Sequence, residues 1–172
     1  MDRNLIVVDK FLDAPDYIRN LALTEFEYTK YDKHVPGVRS SNRASGEYET
    51  GITKRFEEIF NAKIKWNWNN DTFHFQSCDE DTETWVHRDI GSQWAAVLYL
   101  TPDAPFKAGT SIYHRVDIRD YAEDICIGNV YNRLVAYRGD IMYHRSTIPG
   151  FGNSIETSRL TQVFFFDIEP NG

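Results

Sequence analysis

Cysteine is scarce, and its scarcity excludes two classes at once. The 172 residues hold only Cys78 and Cys126, far apart and in no Cys-x-x-Cys spacing, so neither a disulfide scaffold nor a thiolate metal site is expected and both read as free thiols. Runs of Lys or Arg are missing too. With 19 basic against 26 acidic residues the formal net charge is -7, the wrong sign for a nucleic-acid backbone or an anionic membrane surface. No segment is long and apolar enough to span a bilayer, and the start, Met1-Asp2-Arg3-Asn4, shows neither signal-peptide core nor cleavage pattern. A soluble cytoplasmic protein is the expectation. Repeats, low-complexity stretches and linkers are also lacking, so the length predicts one domain over 1–172, with a strand and helices over 1–62 and the core carrying the site over 63–168. Aromatic side chains, in contrast, are plentiful: 4 Trp, 10 Tyr and 11 Phe make 15% of the chain. That share suits sheets with large inward side chains better than a helical bundle.

Periodicity divides the chain. Leu5-Ile6-Val7-Val8 reads as a buried strand. Asp13 as a cap, Pro15 in the first turn and Asp16 near the dipole's positive end predict a helix running to about Thr24–Glu27, with Ile18, Leu21, Ala22 and Phe26 inward. Residues 30–46, polar and interrupted by Pro36-Gly37, read as a long irregular loop that carries His34, Arg39 and Arg43 as solvated side chains. A second amphipathic helix follows over Gly51–Asn61, through Ile52, Phe56, Ile59 and Phe60. Beyond residue 62 the period becomes two. Ile64, Trp66 and Trp68 alternate with polar residues, Asn69-Asn70-Asp71 looks like a hairpin turn, and Thr72–Gln76 resumes as the partner strand. Further strands are predicted over Trp94–Thr101, Gly109–Arg115, Asn132–Tyr137, Asp140–Tyr143 and Arg159–Asp167. The fold class is therefore α+β and predominantly β, an antiparallel sandwich or barrel with the N-terminal helices packed on one side.

The chemistry concentrates in Trp85-Val86-His87-Arg88-Asp89. In an extended segment residues two apart share a face, so His87 and Asp89 point the same way and can grip one ion. A second imidazole from a distant strand completes a two-histidine, one-carboxylate face of the kind that suits non-haem Fe(II). His144, after the turn at Gly139-Asp140, is placed to supply it. Arg159 opens a strand so apolar that a guanidinium there needs an anionic partner, either an internal carboxylate or a bound ligand's, and Thr161 faces the same way. His74 and His114 have no carboxylate at ligand spacing. The acidic run Asp79–Glu83 reads as a solvated loop.

In this order the motifs resemble those of the Fe(II)/2-oxoglutarate-dependent oxygenases, in particular the prolyl-4-hydroxylase-like subgroup: His87-Arg88-Asp89, Leu98-Tyr99-Leu100-Thr101, Ala108-Gly109-Thr110, His144, then Arg159 with Thr161. The resemblance spans roughly residues 64–167. It implies a double-stranded β-helix, or jelly roll, with His87, Asp89 and His144 as metal ligands and Fe(II), 2-oxoglutarate and O2 as cofactor and cosubstrates. Arg159 would pair with the distal carboxylate of 2-oxoglutarate, Tyr99 would reach the same group through its hydroxyl, and Gln76 lies on the strand that contacts the cosubstrate near the metal, where many relatives have Tyr. Ala108-Gly109 stands where relatives often have Gly-Gly, and Pro149-Gly150-Phe151-Gly152 forms an extended turn that absorbs a long gap before Arg159. The implied reaction is hydroxylation of a C–H bond in a small molecule, amino acid or peptide, coupled to conversion of 2-oxoglutarate to succinate. Trp85, Trp94, Tyr113, Tyr137 and Tyr143 are candidates for aromatic walls of such a site. Two alternatives stay open: a cupin-type metalloenzyme that uses no keto acid, and a non-catalytic jelly-roll binding module.

Overall fold

A computed structural model describes residues 4–30 and 35–170. In chain order its elements are β1 (Leu5–Val8), α1 (Pro15–Thr24), β2 (Tyr28–Thr29), β3 (Val38–Ser40), α2 (Glu47–Phe60), β4 (Ala62–Trp66), β5 (Phe75–Cys78), β6 (Trp94–Tyr99), β7 (Thr110–Asp117), β8 (Asp120–Ile127), β9 (Leu134–Tyr137), β10 (Tyr143–Ser146) and β11 (Arg159–Pro170). The strands form two antiparallel sheets. The larger has the order β1-β9-β6-β11-β5-β3-β2, with β4 also on β11, and the smaller is β10-β7-β8. Among the described residues no helix is long and apolar enough to cross a membrane.

β11 organises the larger sheet because its alternation is apolar on both faces. Leu160, Phe164 and Phe166 join Ala96, Leu98, Leu134 and Ala136 in the core beneath the helices. Against them α1 sets Ile18 and Ala22, and α2 sets Ile52 and Phe56. Phe56 is fully buried, and its ring lies 5.1–5.7 Å from those of Phe11, Trp66, Phe164 and Phe166. The opposite face of the same sheet packs Ala95, Tyr99, Val135 and Tyr137 toward Ile112 of the smaller sheet. The site lies in this gap between sheets.

Several boundaries differ from those the sequence predicts. The N-cap of α1 is Ala14, without a side-chain cap, so Asp13 sits one residue too early for that role. α2 begins at Glu47, because Gly46 at φ 75° and ψ -139° supplies a backbone turn that favours glycine, and Gly51 lies inside the helix. Its first turn carries Glu47 and Glu49 where the dipole favours them. β4 and β5 do not form a hairpin. Both lie on β11, β4 along Phe166–Pro170 and β5 along Arg159–Gln162, with left-handed residues Asp71 and Phe73 between them kinking the chain without reversing it. The region 30–46 contains β3, paired with β5; His34 lies outside the described residues. β8 was not foreseen, since most of its side chains are exposed. Residues 140–142 form a turn, so the strand carrying His144 runs over Tyr143–Ser146.

Candidate metal centre

The triad assembles because two extended segments meet at one residue pair. His87 and His144 form an antiparallel bridge, in which each backbone N–H donates to the other's carbonyl at 3.1 and 2.9 Å. Their ring centroids are 4.5 Å apart. Asp89, two residues on, is fixed by its N–H donating to the Gly139 carbonyl at 2.8 Å. Gly139 has to be glycine: a Cβ there would lie 2.3 Å from Asp89 Oδ2. One ligand atom from each of His87, Asp89 and His144 lies within 4.8 Å of the other two.

Protonation follows from the hydrogen bonds. His87 Nδ1 lies 2.9 Å from the Trp85 carbonyl, and His144 Nδ1 lies 2.9 Å from that of Met142. A carbonyl only accepts, so each Nδ1 carries a proton and each ring presents its Nε2 to Asp89. Those Nε2 atoms lie 3.6 and 3.4 Å from the carboxylate oxygens, and Asp89 Oδ2 is buried with no hydrogen-bond partner. Burial would by itself raise the Asp89 carboxyl, yet the two imidazoles hold it well below the usual carboxylate range. For His87, burial lowers the imidazole's pKa, but Asp89 and the Trp85 carbonyl outweigh it and the net shift is upward. Two imidazole nitrogens converging on a buried carboxylate call for a positive charge among them, carried by a ring proton or by a metal ion, and the donor set suits Fe(II).

The triad opens into a cavity of about 490 Å³ whose lining includes Gln76, Trp85, Tyr137, Arg159 and Phe165. Arg159 is 4% exposed. Its Nε and Nη2 donate to the carbonyls of Ala108 and Gly109 at 3.0 and 3.2 Å, and its Cζ lies 5.4 Å from the Tyr99 ring centroid. Among the described residues no carboxylate pairs with it, which leaves a buried cation facing a cavity. Gly109 lets β8 approach, since a Cβ would meet the Ile127 carbonyl at 1.8 Å. The Tyr99 hydroxyl shares a 2.7 Å hydrogen bond with Thr110 Oγ1, and burial raises its pKa.

Register explains how the other predicted residues come together. Thr161 pairs with Tyr99 on one side and Gln76 on the other, and Gln76 pairs with Arg39. Paired residues share a face, so Tyr99, Thr161, Gln76 and Arg39 form one polar row across four strands of the inner face. Thr161 and Gln76 are both hydrogen-bonded to neighbouring backbone carbonyls. The Thr161 hydroxyl donates to the Gln76 carbonyl at 3.4 Å, and Gln76 Nε2 donates to the Pro36 carbonyl at 2.6 Å. Thr161 is fully buried and outside the cavity lining, while Gln76 lines it. Arg39, expected to be a solvated loop residue, is 8% exposed and lines the cavity. The strand pairing that buries it carries no signal in a three-residue segment beside Pro36-Gly37.

Of the aromatic wall candidates, Trp85 and Tyr137 line the cavity. The Tyr137 ring lies 4.4 Å from that of His144. Trp94 packs under the helices, 4.8 Å from Phe60. Tyr113 and Tyr143 lie on the far face of the smaller sheet, where Arg145 and Arg88 stack over them at 5.6 and 5.0 Å. The cause is again alternation, because Tyr143 and Arg145 flank the inward His144.

No protein-family model matches the sequence, and no curated protein matches it. Similarity appears at the level of structure. A Pseudomonas putida prolyl-4-hydroxylase matches with a TM-score of 0.59 at 16% identity, over 95% of this chain and 91% of its own. A prolyl hydroxylase from Trichoplax adhaerens, solved in complex with a hypoxia inducible factor oxygen degradation domain peptide fragment, matches with a TM-score of 0.61 at 12% identity, over 95% and 84%. The chain therefore has the fold of the prolyl-4-hydroxylases, as the motif order implied.

Proposed function

We propose that the chain is a single-domain jelly-roll enzyme, an Fe(II)/2-oxoglutarate-dependent dioxygenase that hydroxylates a C–H bond of a small molecule or peptide. The observation that carries this reading is the convergence of two imidazole Nε2 atoms and a buried carboxylate in a cavity that also holds a buried arginine with no carboxylate partner among the described residues. His87, Asp89 and His144 would hold Fe(II) on one face and leave the opposite face for ligands. With 2-oxoglutarate and O2 the bound metal supplies oxidative decarboxylation to succinate and CO2, with one oxygen atom entering the substrate C–H bond. Arg159 would take the distal carboxylate, held in place by the Ala108 and Gly109 carbonyls and backed by the Tyr99 ring and the Tyr99–Thr110 hydroxyl pair. Gln76, its amide turned to Pro36, shapes the wall beside the cosubstrate. Trp85 and Tyr137 shield the site from water.

The test is metal analysis of the purified protein after incubation with Fe(II), followed by succinate formation from 2-oxoglutarate under air. One iron per chain and keto-acid-dependent succinate are expected. Asp89→Ala and His144→Ala should each lose both while keeping the cooperative unfolding transition of the parent. Decarboxylation that persists in either variant would remove the assignment, and iron without keto-acid turnover would favour the cupin-type alternative.

A further inference from the structure

Arg39 has no role in that reading, yet its surroundings are those of a binding residue. It completes the row Tyr99–Thr161–Gln76–Arg39 and lies two strands from β11, about 10 Å away at ordinary strand spacing. Only part of its hydrogen-bonding capacity is used. Nη1 donates to Asp71 Oδ2 at 3.1 Å, whereas Nε is buried without a partner among the described residues. The guanidinium lies 5.7 Å from the centroid of Phe165, another wall of the cavity. Asp71 does not line the cavity, so the cationic side of the pair is the one presented to it.

The charges in the cavity lining show what is missing. Asp89 would be balanced by the cation it helps to hold, and Arg159 by the cosubstrate's distal carboxylate. Among the described residues the lining contains no other carboxylate, and its remaining arginines, the exposed Arg88 and the half-buried Arg145, stack over Tyr143 and Tyr113. A substrate in this cavity therefore meets one further buried cation with an unused N–H. Asp71 offsets part of this charge, but its single contact at Nη1 leaves the rest of the guanidinium fork without an acceptor among the described residues.

We propose that Arg39 is the specificity-determining residue of this site, and that the substrate carries an anionic oxygen group, a carboxylate or a phosphate, that accepts a hydrogen bond from the Arg39 guanidinium. The proposal rests on the dioxygenase reading for the placement of the cosubstrate. The acidic loop Asp79–Glu83 gives the opposite expectation, a cationic substrate, but it borders a neighbouring pocket separated from this one by Pro36 and Trp85.

The experiment follows the Arg39 Nε–H resonance by NMR in protein loaded with Zn(II), a diamagnetic stand-in, and saturating 2-oxoglutarate. The resonance is identified by its loss in Arg39→Lys. Titration with acetate, methyl phosphate and the neutral isostere acetamide should give a saturable shift with the anions and at least a tenfold weaker response with acetamide, and the better of the two anions identifies the group. No shift with either anion, or an equal shift with acetamide, overturns the inference. The dioxygenase reading fails separately, through absence of Arg159-dependent 2-oxoglutarate binding in the same loaded protein.

Discussion

The two faces of β11 behave as two different proteins. Leu160, Phe164 and Phe166 enter a closed aromatic layer beneath the helices. Arg159, Val163 and Phe165, offset by one residue, line an open cavity with the triad across from them. A single strand thus separates stability from chemistry by parity alone. The apolar layer can hold the backbone firmly because the polar side chain that β11 turns into it, Gln162, is satisfied by the Tyr48 hydroxyl and the Phe73 carbonyl, and that firmness permits a buried cation and a converging triad on the other side.

If this division is real, changes on the two faces should move different quantities. Phe56→Ala removes a fully buried ring touching five other aromatics and should cost about 3–5 kcal/mol of unfolding free energy, while the metal affinity of the folded fraction stays put. Denaturant titration with and without Fe(II) separates the two. A large fall in metal affinity for folded Phe56→Ala would show that the faces are coupled. Arg159→Gln tests the opposite face. Loss of a charge-assisted contact is worth about 1.5–3 kcal/mol, so calorimetry should find 2-oxoglutarate binding weakened roughly 10- to 100-fold, and unchanged binding would remove Arg159 from the site. Gly139→Ala adds only a methyl group, but it displaces Asp89. Groups that orient a metal ligand are worth about 10- to 100-fold in metal affinity, so the substitution should loosen the metal by that order, and a neutral result would mean that Asp89 is not held by this contact.

The same parity decides how much was readable beforehand. The two-residue repeat alone puts His87 with Asp89, and Arg159 with Thr161, on one face, and that much is legible without a structure. Tyr99 and Gln76 joined them through pairing, which a single sequence does not encode. Arg39 was missed for that reason: three residues beside Pro36-Gly37 have no periodicity, and only register with β5 buries the side chain. The supposed hairpin at Asn69-Asn70-Asp71 failed because turn-forming residues announce a kink, while whether the chain reverses depends on β11. α2 was shortened because its first turn, Glu47-Tyr48-Glu49-Thr50, obeys dipole and backbone preferences more than apolar spacing.

The smallest effect belongs to a second imidazole–carboxylate pair, which uses the same chemistry in the opposite setting. His114 Nδ1 lies 2.6 Å from Asp124 Oδ1 on the β7–β8 hairpin, with the two side chains 54% and 44% exposed. No second imidazole joins it among the described residues, and water satisfies both partners when they part. An exposed pair of this kind contributes less than about 1 kcal/mol and weakens further with salt. His114→Ala should therefore leave iron stoichiometry and succinate formation intact and shift the denaturant midpoint only slightly, most at low ionic strength. Loss of bound iron in this variant would mean that a short imidazole–carboxylate distance, without burial and a third ligand, is enough to hold the metal, and the distinction drawn between the two pairs would fall.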